Sequence, residues 1–362
     1  MSLTRTKRFF YALYVFLFAL LLCLAFPLPL KAQPSKALLD SASAGNAGAQ
    51  YKLGHHYYYG EQSNYSEAVK WFTLAAEQGN SDAMNELGNM ARYGDGTKSG
   101  ARDYQTAIKW FEKAGKLGHK KAQASLGGIY ASGQIAGKNL PEAVKWYRLA
   151  AEQDHAPSSY SLAIILREGK GVEQNLAEAA KWMKRSAELG YHDAQEDLAK
   201  MYLQGIGVKQ NYAEAVKWFE MVGDQRPQTA YQLGLLLEQG KVASGDGRNA
   251  YVWYRKAAAQ GSPDALKHIR TAAEKGNAIA QNSYGLMYAI GQGVEINHKE
   301  AVKWYSLAAE QGNRDAQYNL CVMYVRGLGV ALDVEKAVEW CKKASDQGSE
   351  EAQRRLERIL AP

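Results

Sequence analysis

The chain has 362 residues, of which 46% are apolar and 22% charged, a composition typical of folded proteins that excludes a disordered chain. The formal net charge of +7 is spread along the sequence, whereas nucleic-acid binding needs clustered Lys and Arg, so we expect no nucleic-acid partner. Thirty-four glycines against eight prolines indicate helices separated by glycine turns.

Residues 1–32 have the layout of a secretory signal peptide. Three basic residues precede an uncharged run over 9–30, and Ala32 provides a cleavage site. We expect cleavage after Ala32 and export to the periplasm or the exterior. The alternative is that this segment stays uncleaved as a membrane anchor, and in that case it is the only part of the chain expected to contact a membrane. Because 1–32 holds four basic residues and no acid, its removal lowers the formal charge from +7 to +3.

Eight tryptophans mark an internal repeat in the rest of the chain. They are Trp71, Trp110, Trp146, Trp182, Trp218, Trp253, Trp304 and Trp340, separated by 39, 36, 36, 36, 35, 51 and 36 residues. The sequence around them recurs as well, as a comparison of Glu67–Phe72 with Glu300–Tyr305 shows. A fixed period of this length predicts an array of stacked units.

Each repeat is predicted to hold two short amphipathic helices. In the last repeat, one apolar stripe runs from Ala316 to Tyr324 and a second from Ala337 to Ala344, with glycines between them. The second helix of most repeats begins with Asn and has Glu three residues later, a pattern like a capping box. We therefore expect a succession of helix, turn, helix and turn.

The last repeat shows a family resemblance. Its residues Asp315, Ala316, Leu320, Tyr324, Gly327–Val330, Asp333, Ala337, Trp340, Ala344 and Gly348 resemble the Sel1-like repeat, a relative of the tetratricopeptide repeat. The resemblance covers 46–348 and implies an all-α, right-handed α-solenoid of helix-turn-helix repeats, about eight in number plus one truncated. It also implies a scaffold or adaptor role without a shared active site.

The flanking and irregular segments follow from the same alignment. Residues 33–45 are predicted to be a linker, and 349–362 a charged helix that caps the last apolar face. Residues 262–276 begin like a first helix and end like a second. We expect a single helix there in place of a pair.

Cys321 and Cys341 are predicted to form a disulfide. Other repeats place a small residue in the first helix and a bulky one in the second, as in Gly54 and Phe72, which indicates that the two positions touch. In the last repeat both positions are cysteine, and an exported protein meets oxidising conditions. Two buried free thiols are the alternative.

We expect no catalytic, metal or cofactor site. The seven histidines lack the spacing of a zinc hydrolase, and His119 stands at a repeat-start position that is Asn in other repeats. One Trp per repeat at a constant position is typical of core packing. No nucleophile elbow or phosphate loop occurs, so the chain is predicted not to be an enzyme and to need no cofactor.

A partner is expected to bind along the first helices, which line the inner groove of tetratricopeptide arrays. That register, taken from the resemblance, places the following side chains in the groove: Tyr51, His55, Tyr58, Asn89, Arg92, Tyr160, Arg167, Tyr231, Leu235, Leu286, Tyr318 and Val322. The groove would be polar and aromatic at its start and apolar at its end. Tyr and Arg are common interface anchors.

These features favour a periplasmic or secreted adaptor that binds a protein of its own cell or, in an intracellular pathogen, a host protein. A structural protein that organises the cell envelope through peptidoglycan or an outer-membrane assembly is the second hypothesis, and an enzyme the third. The sequence names neither the partner nor the oligomeric state.

Overall fold

The computed structural model describes residues 33–60, 63–96, 100–133, 137–240 and 249–361, so the predicted signal peptide at 1–32 lies outside it. Within these ranges every regular element is an α-helix, as predicted. None of these helices is both long and apolar enough to cross a bilayer. Tertiary contacts divide the chain into a first unit up to Ser158 and a second unit from Ser159.

The first unit contains consecutive helix pairs. Its helices are α1 (Lys36–Ser43), α2 (Ala47–Tyr59), α3 (Tyr65–Glu77), α4 (Ser81–Tyr93), α5 (Tyr104–Lys116), α6 (Lys120–Ser132) and α7 (Leu140–Ala151), and the division falls within α8 (Ala156–Glu168).

The second unit continues the same order. Its helices are α9 (Leu176–Glu188), α10 (His192–Gln204), α11 (Tyr212–Gly223), α12 (Pro227–Glu238), α13 (Ala250–Ala259), α14 (Pro263–Glu274), α15 (Ala278–Ile290), α16 (His298–Glu310), α17 (Arg314–Arg326), α18 (Val334–Asp346) and α19 (Glu350–Leu360).

Side chains at the helix starts fix where each helix begins. Asn46 accepts a hydrogen bond from the N–H of Ala49, and Asn and Asp caps recur through both units. His119 does the same with Nδ1, which accepts from the N–H of Ala122 at 3.1 Å. His119 is therefore a cap, as its repeat-start position predicts, and it satisfies a backbone donor that the helix itself leaves free.

A small residue against an aromatic ring holds the two helices of a repeat together. A Cβ added to Gly54 would lie 2.6 Å from Phe72, and one added to Gly127 would lie 2.5 Å from Tyr147. The predicted contact between the two positions is confirmed. Glycine is required because the ring occupies the space of its missing side chain.

Cys321 on α17 and Cys341 on α18 replace that contact with a covalent bond. Their sulfur atoms are 2.07 Å apart, with the Cα atoms separated by 5.3 Å. Both residues are fully buried, together with Ala337, Ala344 and Ala352. The disulfide thus joins the helices at the place where other repeats pack glycine on an aromatic ring.

The tryptophans pack between successive second helices. A Cβ on Gly115 would lie 3.0 Å from the ring of Trp146, and one on Gly223 would lie 2.8 Å from Trp253. Trp146, Trp182 and Trp218 are buried, but the other five tryptophans keep part of their surface exposed. These five rings pack against the buried clusters, so the tryptophans serve core packing as predicted while part of their surface stays exposed.

Glutamine pairs connect successive repeats. Gln123 donates to the carbonyl of Gly115 at 2.9 Å and accepts from Gln153 at 2.7 Å. Equivalent pairs are Gln50 with Gln78, Gln281 with Gln311, and Gln317 with Gln347. Because each first-helix Gln bonds to the second helix before it, these buried amides set the spacing between repeats.

The predicted linker at 33–45 is wrong, since it contains α1. Ser35 caps this helix, and Ala42 is buried against Ala49 and Leu53 of α2. Gln50 donates to the carbonyl of Ala42 at 3.1 Å, the bond that other first helices make to a preceding second helix. Helix α1 therefore covers the apolar face that the first repeat would otherwise expose.

Helix α14 stands alone, as predicted for 262–276. Ser262 caps it in the manner of a first helix, since its hydroxyl accepts from the N–H of Ala265. At its other end, the carbonyl of Ala273 accepts from Gln281, as a second helix does. One helix thus makes the contacts of two and keeps the stacking continuous within the second unit.

Helix α19 follows the last pair at the predicted cap, 349–362. It resembles a first helix with Ser349 as its cap and Ala352 buried. The position of the usual small residue holds the exposed Glu357 instead. A charge at this position disfavours packing of a further second helix there, which suits a terminal element.

Candidate partner-binding surface

None of the twelve side chains predicted to face a groove is fully buried. His55 is exposed, and the other eleven are half-buried. All twelve side chains are therefore accessible to solvent, but they make different contacts in the two units. Whether a partner binds them stays a prediction.

An aromatic stripe runs along α2 in the first unit. The rings of Tyr51 and His55 are 6.2 Å apart, and those of His55 and Tyr59 are 4.4 Å apart. These residues recur every four positions and so share one face of the helix. Tyr58 lies beside them, with its ring 4.5 Å from that of Tyr59.

Two carboxylates beside α2 accept from this stripe. The hydroxyl of Tyr58 donates to Asp95 at 2.5 Å, and that of Tyr59 donates to Glu86 on α4 at 3.2 Å. Burial, followed by the Glu86 charge, raises the pKa of Tyr59 to about 12. The patch is therefore both aromatic and negative. Glu86 and Asp95 are not among the residues predicted from the sequence, because their proximity to α2 depends on how neighbouring repeats pack.

The other two predicted residues of the first unit contribute less. Asn89 donates to Glu86 at 3.4 Å. Arg92 lies over the ring of Tyr93 at 5.6 Å and pairs with no carboxylate of the described residues. Tyr93 is 56% exposed, so this stacked pair extends the accessible aromatic surface.

In the second unit, a charged network occupies the first helices. Asp197 on α10 accepts from Tyr160 at 3.3 Å and from Arg167 at 3.4 Å, both on α8. Arg226 reaches back to Glu196 at 2.7 Å. Tyr160 and Arg167 are therefore engaged within the chain. Burial, aided by Asp197, raises the pKa of Tyr160 to about 12.

A cleft of about 500 Å³ opens between α12 and α14. Its lining side chains are Tyr231, Glu238, Asp264, Lys267, His268, Thr271, Ala272 and Lys275. Tyr231 and Glu238 lie on α12 and belong to the predicted groove register, whereas the six other side chains lie on α14 or at its C-terminal cap. Among the described residues, Asp264, Lys267 and Lys275 form no ion pair, so their charges face solvent uncompensated.

Glu238 organises the wall of this cleft. It accepts from Tyr254 at 2.8 Å, from Tyr251 at 3.2 Å, and contacts Nε2 of His268 at 2.9 Å. Burial and then the Glu238 charge raise the pKa of Tyr251 to about 12, and burial with the Glu238 hydrogen bond raises the pKa of Tyr254 further. The two hydroxyls stay neutral donors and hold the carboxylate in place.

The apolar end of the predicted groove is largely engaged in packing. Leu235, Leu286 and Tyr318 each contact a buried cluster of their own region of the second unit. Val322 is half-buried on α17. These side chains offer only part of their surface to a partner, because neighbouring helices cover the remainder.

The described residues contain no group of three or more His, Cys, Asp or Glu side chains placed to hold a metal ion. His55 and His56 are adjacent on α2 and their side chains diverge around the helix. The surface is thus made of aromatic rings, amides and charges, which are the groups used in recognition of another protein.

Tandem helix pairs with accessible first-helix faces define a repeat scaffold of the α-solenoid class. The Sel1 repeat model matches residues 47–80, 81–119, 120–155, 156–191, 192–225, 227–262, 278–313 and 314–349. The chain belongs to the Sel1 repeat family. The match omits 263–277, which contains the lone helix α14.

Two solved structures are similar to the chain over most of its length. A protective antigen present in uropathogenic Escherichia coli strains, which displays the same repeat fold, is 34% identical with a TM-score of 0.57, and the match covers 89% of this chain and 73% of that one. A Sel1 repeat protein from Oxalobacter formigenes is 27% identical with a TM-score of 0.53, and 90% of each chain is covered. No curated protein sequence matches the chain. The Sel1 repeat fold is a non-enzymatic scaffold fold, and repeats of this kind generally bind proteins.

Proposed function

We propose that the chain is an exported, non-enzymatic adaptor that binds a protein partner along its first helices. The observation that carries this proposal is the cleft between α12 and α14, whose lysines and Asp264 have no charge partner within the described residues. Charges left unpaired in a cleft can be met by complementary charges of a bound protein. The family supports the same reading, since its fold is a scaffold.

Export rests on two features. The N-terminal segment has the pattern of a signal peptide, and disulfides such as Cys321–Cys341 persist in oxidising compartments. The similar structure of a protective antigen also favours a location outside the cytoplasm. Cell fractionation with thiol labelling tests this. An exported chain resists labelling at Cys321 and Cys341, whereas a cytoplasmic chain with both thiols labelled contradicts the proposal.

Affinity capture from extracts of the producing cell and of a host cell tests the adaptor role. The variant Lys267→Glu/Lys275→Glu reverses the charge of both lysines that line the cleft. Its control, Lys299→Glu/Lys342→Glu, makes the same change of charge at exposed positions of second helices. We expect one protein to be captured by the wild type and the control but lost from the cleft variant. Capture of the same protein by the cleft variant and the wild type contradicts the proposal, and so does capture of cell-wall material alone.

A further inference from the structure

Glu86 and Asp95 in the first unit carry charges that no cation of the described residues compensates. Glu86 accepts from Tyr59, Asn85 and Asn89, and Asp95 accepts from Tyr58. All of these donors are neutral, and neither carboxylate forms an ion pair within the described residues. A partly buried carboxylate without a cation is stabilised by supplying one.

The second unit shows the same position with its cation in place. Asp197 follows the buried Ala194 by three residues, as Glu86 follows Ala83, so the two acids are equivalent in their helices. Asp197 is held by Arg167 of the preceding first helix at 3.4 Å. The residue equivalent to Arg167 in the first unit is Tyr58, four positions after the small residue in each case.

The missing cation leaves a surface suited to one from outside. Tyr59 is 60% exposed, and the stacked rings of Tyr51, His55 and Tyr59 present faces that attract cations. Burial raises the pKa values of Tyr51 and Tyr59, and nearby negative charges raise them further. These charges are Asp82 and Glu86 for Tyr51, and Glu86 and Asp95 for Tyr59. The chain as a whole has a formal charge of +7, so the negative field is local.

We propose that the patch formed by Tyr51, His55, Tyr59, Glu86 and Asp95 binds a lysine or arginine side chain from a basic segment of the protein partner. This inference rests on the proposed adaptor function and adds the chemistry of one contact. The partner's cation takes the place beside Glu86 that Arg167 takes beside Asp197. Tyrosine rings cover its methylene groups and the carboxylates meet its charge.

Two cations of the described residues, Arg92 and Lys52, do not fill this place. Arg92 stacks on Tyr93, and Lys52 is exposed on α2; neither is paired with Glu86 or Asp95. Tyr58 donates to one oxygen of Asp95, and no donor of the described residues occupies the second oxygen. An incoming ammonium or guanidinium group therefore meets an unoccupied acceptor.

Fluorescence anisotropy with labelled peptides on the full chain tests the proposal. The probes are a glycine peptide with three arginines, the same peptide with three lysines, and a matched peptide with three glutamates. We expect saturable binding of the two basic peptides, none of the acidic one, and weaker binding as salt rises. The variants Glu86→Gln and Asp95→Asn keep the shape and are expected to weaken basic-peptide binding about tenfold each.

Two further variants make the result specific. Tyr58→Arg supplies the internal cation found in the second unit and is expected to abolish binding of the basic peptides. Glu310→Gln removes one exposed charge from the second unit and is expected to leave binding unchanged. Circular dichroism verifies that each variant remains folded. Equal losses in Glu86→Gln and Glu310→Gln, or no saturable binding by the wild type, would overturn the proposal.

The partner capture described above separates this inference from the adaptor function. If the cleft variant loses a partner while basic peptides do not bind the patch, the adaptor function stands and the cation site fails. If basic peptides bind as expected but no protein is captured in a cleft-dependent manner, the cation site stands and the adaptor proposal fails.

Discussion

Adjacent glycines in α6 differ in what surrounds them. Gly127 faces Tyr147, which fills the space of its missing side chain, whereas Gly128 faces outward with only the Tyr147 hydroxyl nearby. The same residue type thus serves close packing at one position and has no packing role at the next. The difference gives a matched pair for measurement on one helix.

Gly127→Ala is expected to lower the free energy of unfolding by about 1–3 kcal/mol, because its Cβ would lie 2.5 Å from the Tyr147 ring. Gly128→Ala is expected to raise the free energy of unfolding by about 0.5–1 kcal/mol, because Ala is the better helix former. Its Cβ would lie 3.6 Å from the Tyr147 hydroxyl, an ordinary van der Waals distance. Urea unfolding of both variants measures this. Equal effects would show that the ring can move aside.

Tyr251 makes stability depend on alkaline pH. Its pKa is about 12 in the fold, because of burial and the Glu238 charge, against about 10 in an unfolded chain. A raised pKa contributes stability fully below pH 10, and this is lost as pH rises from 10 to 12. Urea unfolding between pH 8 and 12 should therefore show a smaller decline for Tyr251→Phe than for the wild type. Tyr93→Phe, at an exposed ring, is the control, and identical declines in all three would refute the assignment.

Helices α1, α14 and α19 show how single helices adapt to a paired array. Helix α1 makes the contact of a second helix, since its Ala42 carbonyl accepts from Gln50. Helix α14 combines the start of a first helix with the end of a second. Helix α19 is a first helix whose small position has become Glu357. Each one covers an apolar face that the neighbouring pair would expose.

The disulfide is expected to stabilise the pair α17 and α18 by about 3 kcal/mol, because it closes a loop over a separation of 20 residues in the unfolded chain. Urea unfolding with and without a phosphine reductant measures the difference. The variant Cys321→Gly/Cys341→Tyr restores the glycine and aromatic pair of other repeats. We expect it to be insensitive to the reductant; a wild type that is equally insensitive would contradict a stabilising role.

Within the second unit, stacked helix pairs make stability depend on neighbours. Buried clusters follow one another along α13 to α19, and each is completed by the next helix. In such an array the terminal helix opens first and protects the one before it. A single substitution in α19 is therefore expected to destabilise the helix before it as well.

Ala352→Asp should detach α19, because Ala352 is fully buried against the disulfide cluster and a carboxylate there loses its water. Hydrogen exchange followed by mass spectrometry is expected to show at least about tenfold faster exchange in α18 and α19. Arg358→Asp places the same residue at an exposed position of α19 and should leave α18 protected. Equal exchange in the two variants would mean that α19 is not a cap.

Sequence reasoning alone was enough to establish the repeat, its two helices, the contact of Gly54 with Phe72 and the single helix at 262–276. These features depend on local capping and on contacts at a constant separation within one repeat, which a periodic pattern records. Only the tertiary structure revealed α1, the cleft, and the ion pair that Asp197 forms and Glu86 lacks among the described residues. Those depend on side chains about one repeat apart, where Arg167 pairs with Asp197 in the second unit and Tyr58 stands at the equivalent position of the first unit.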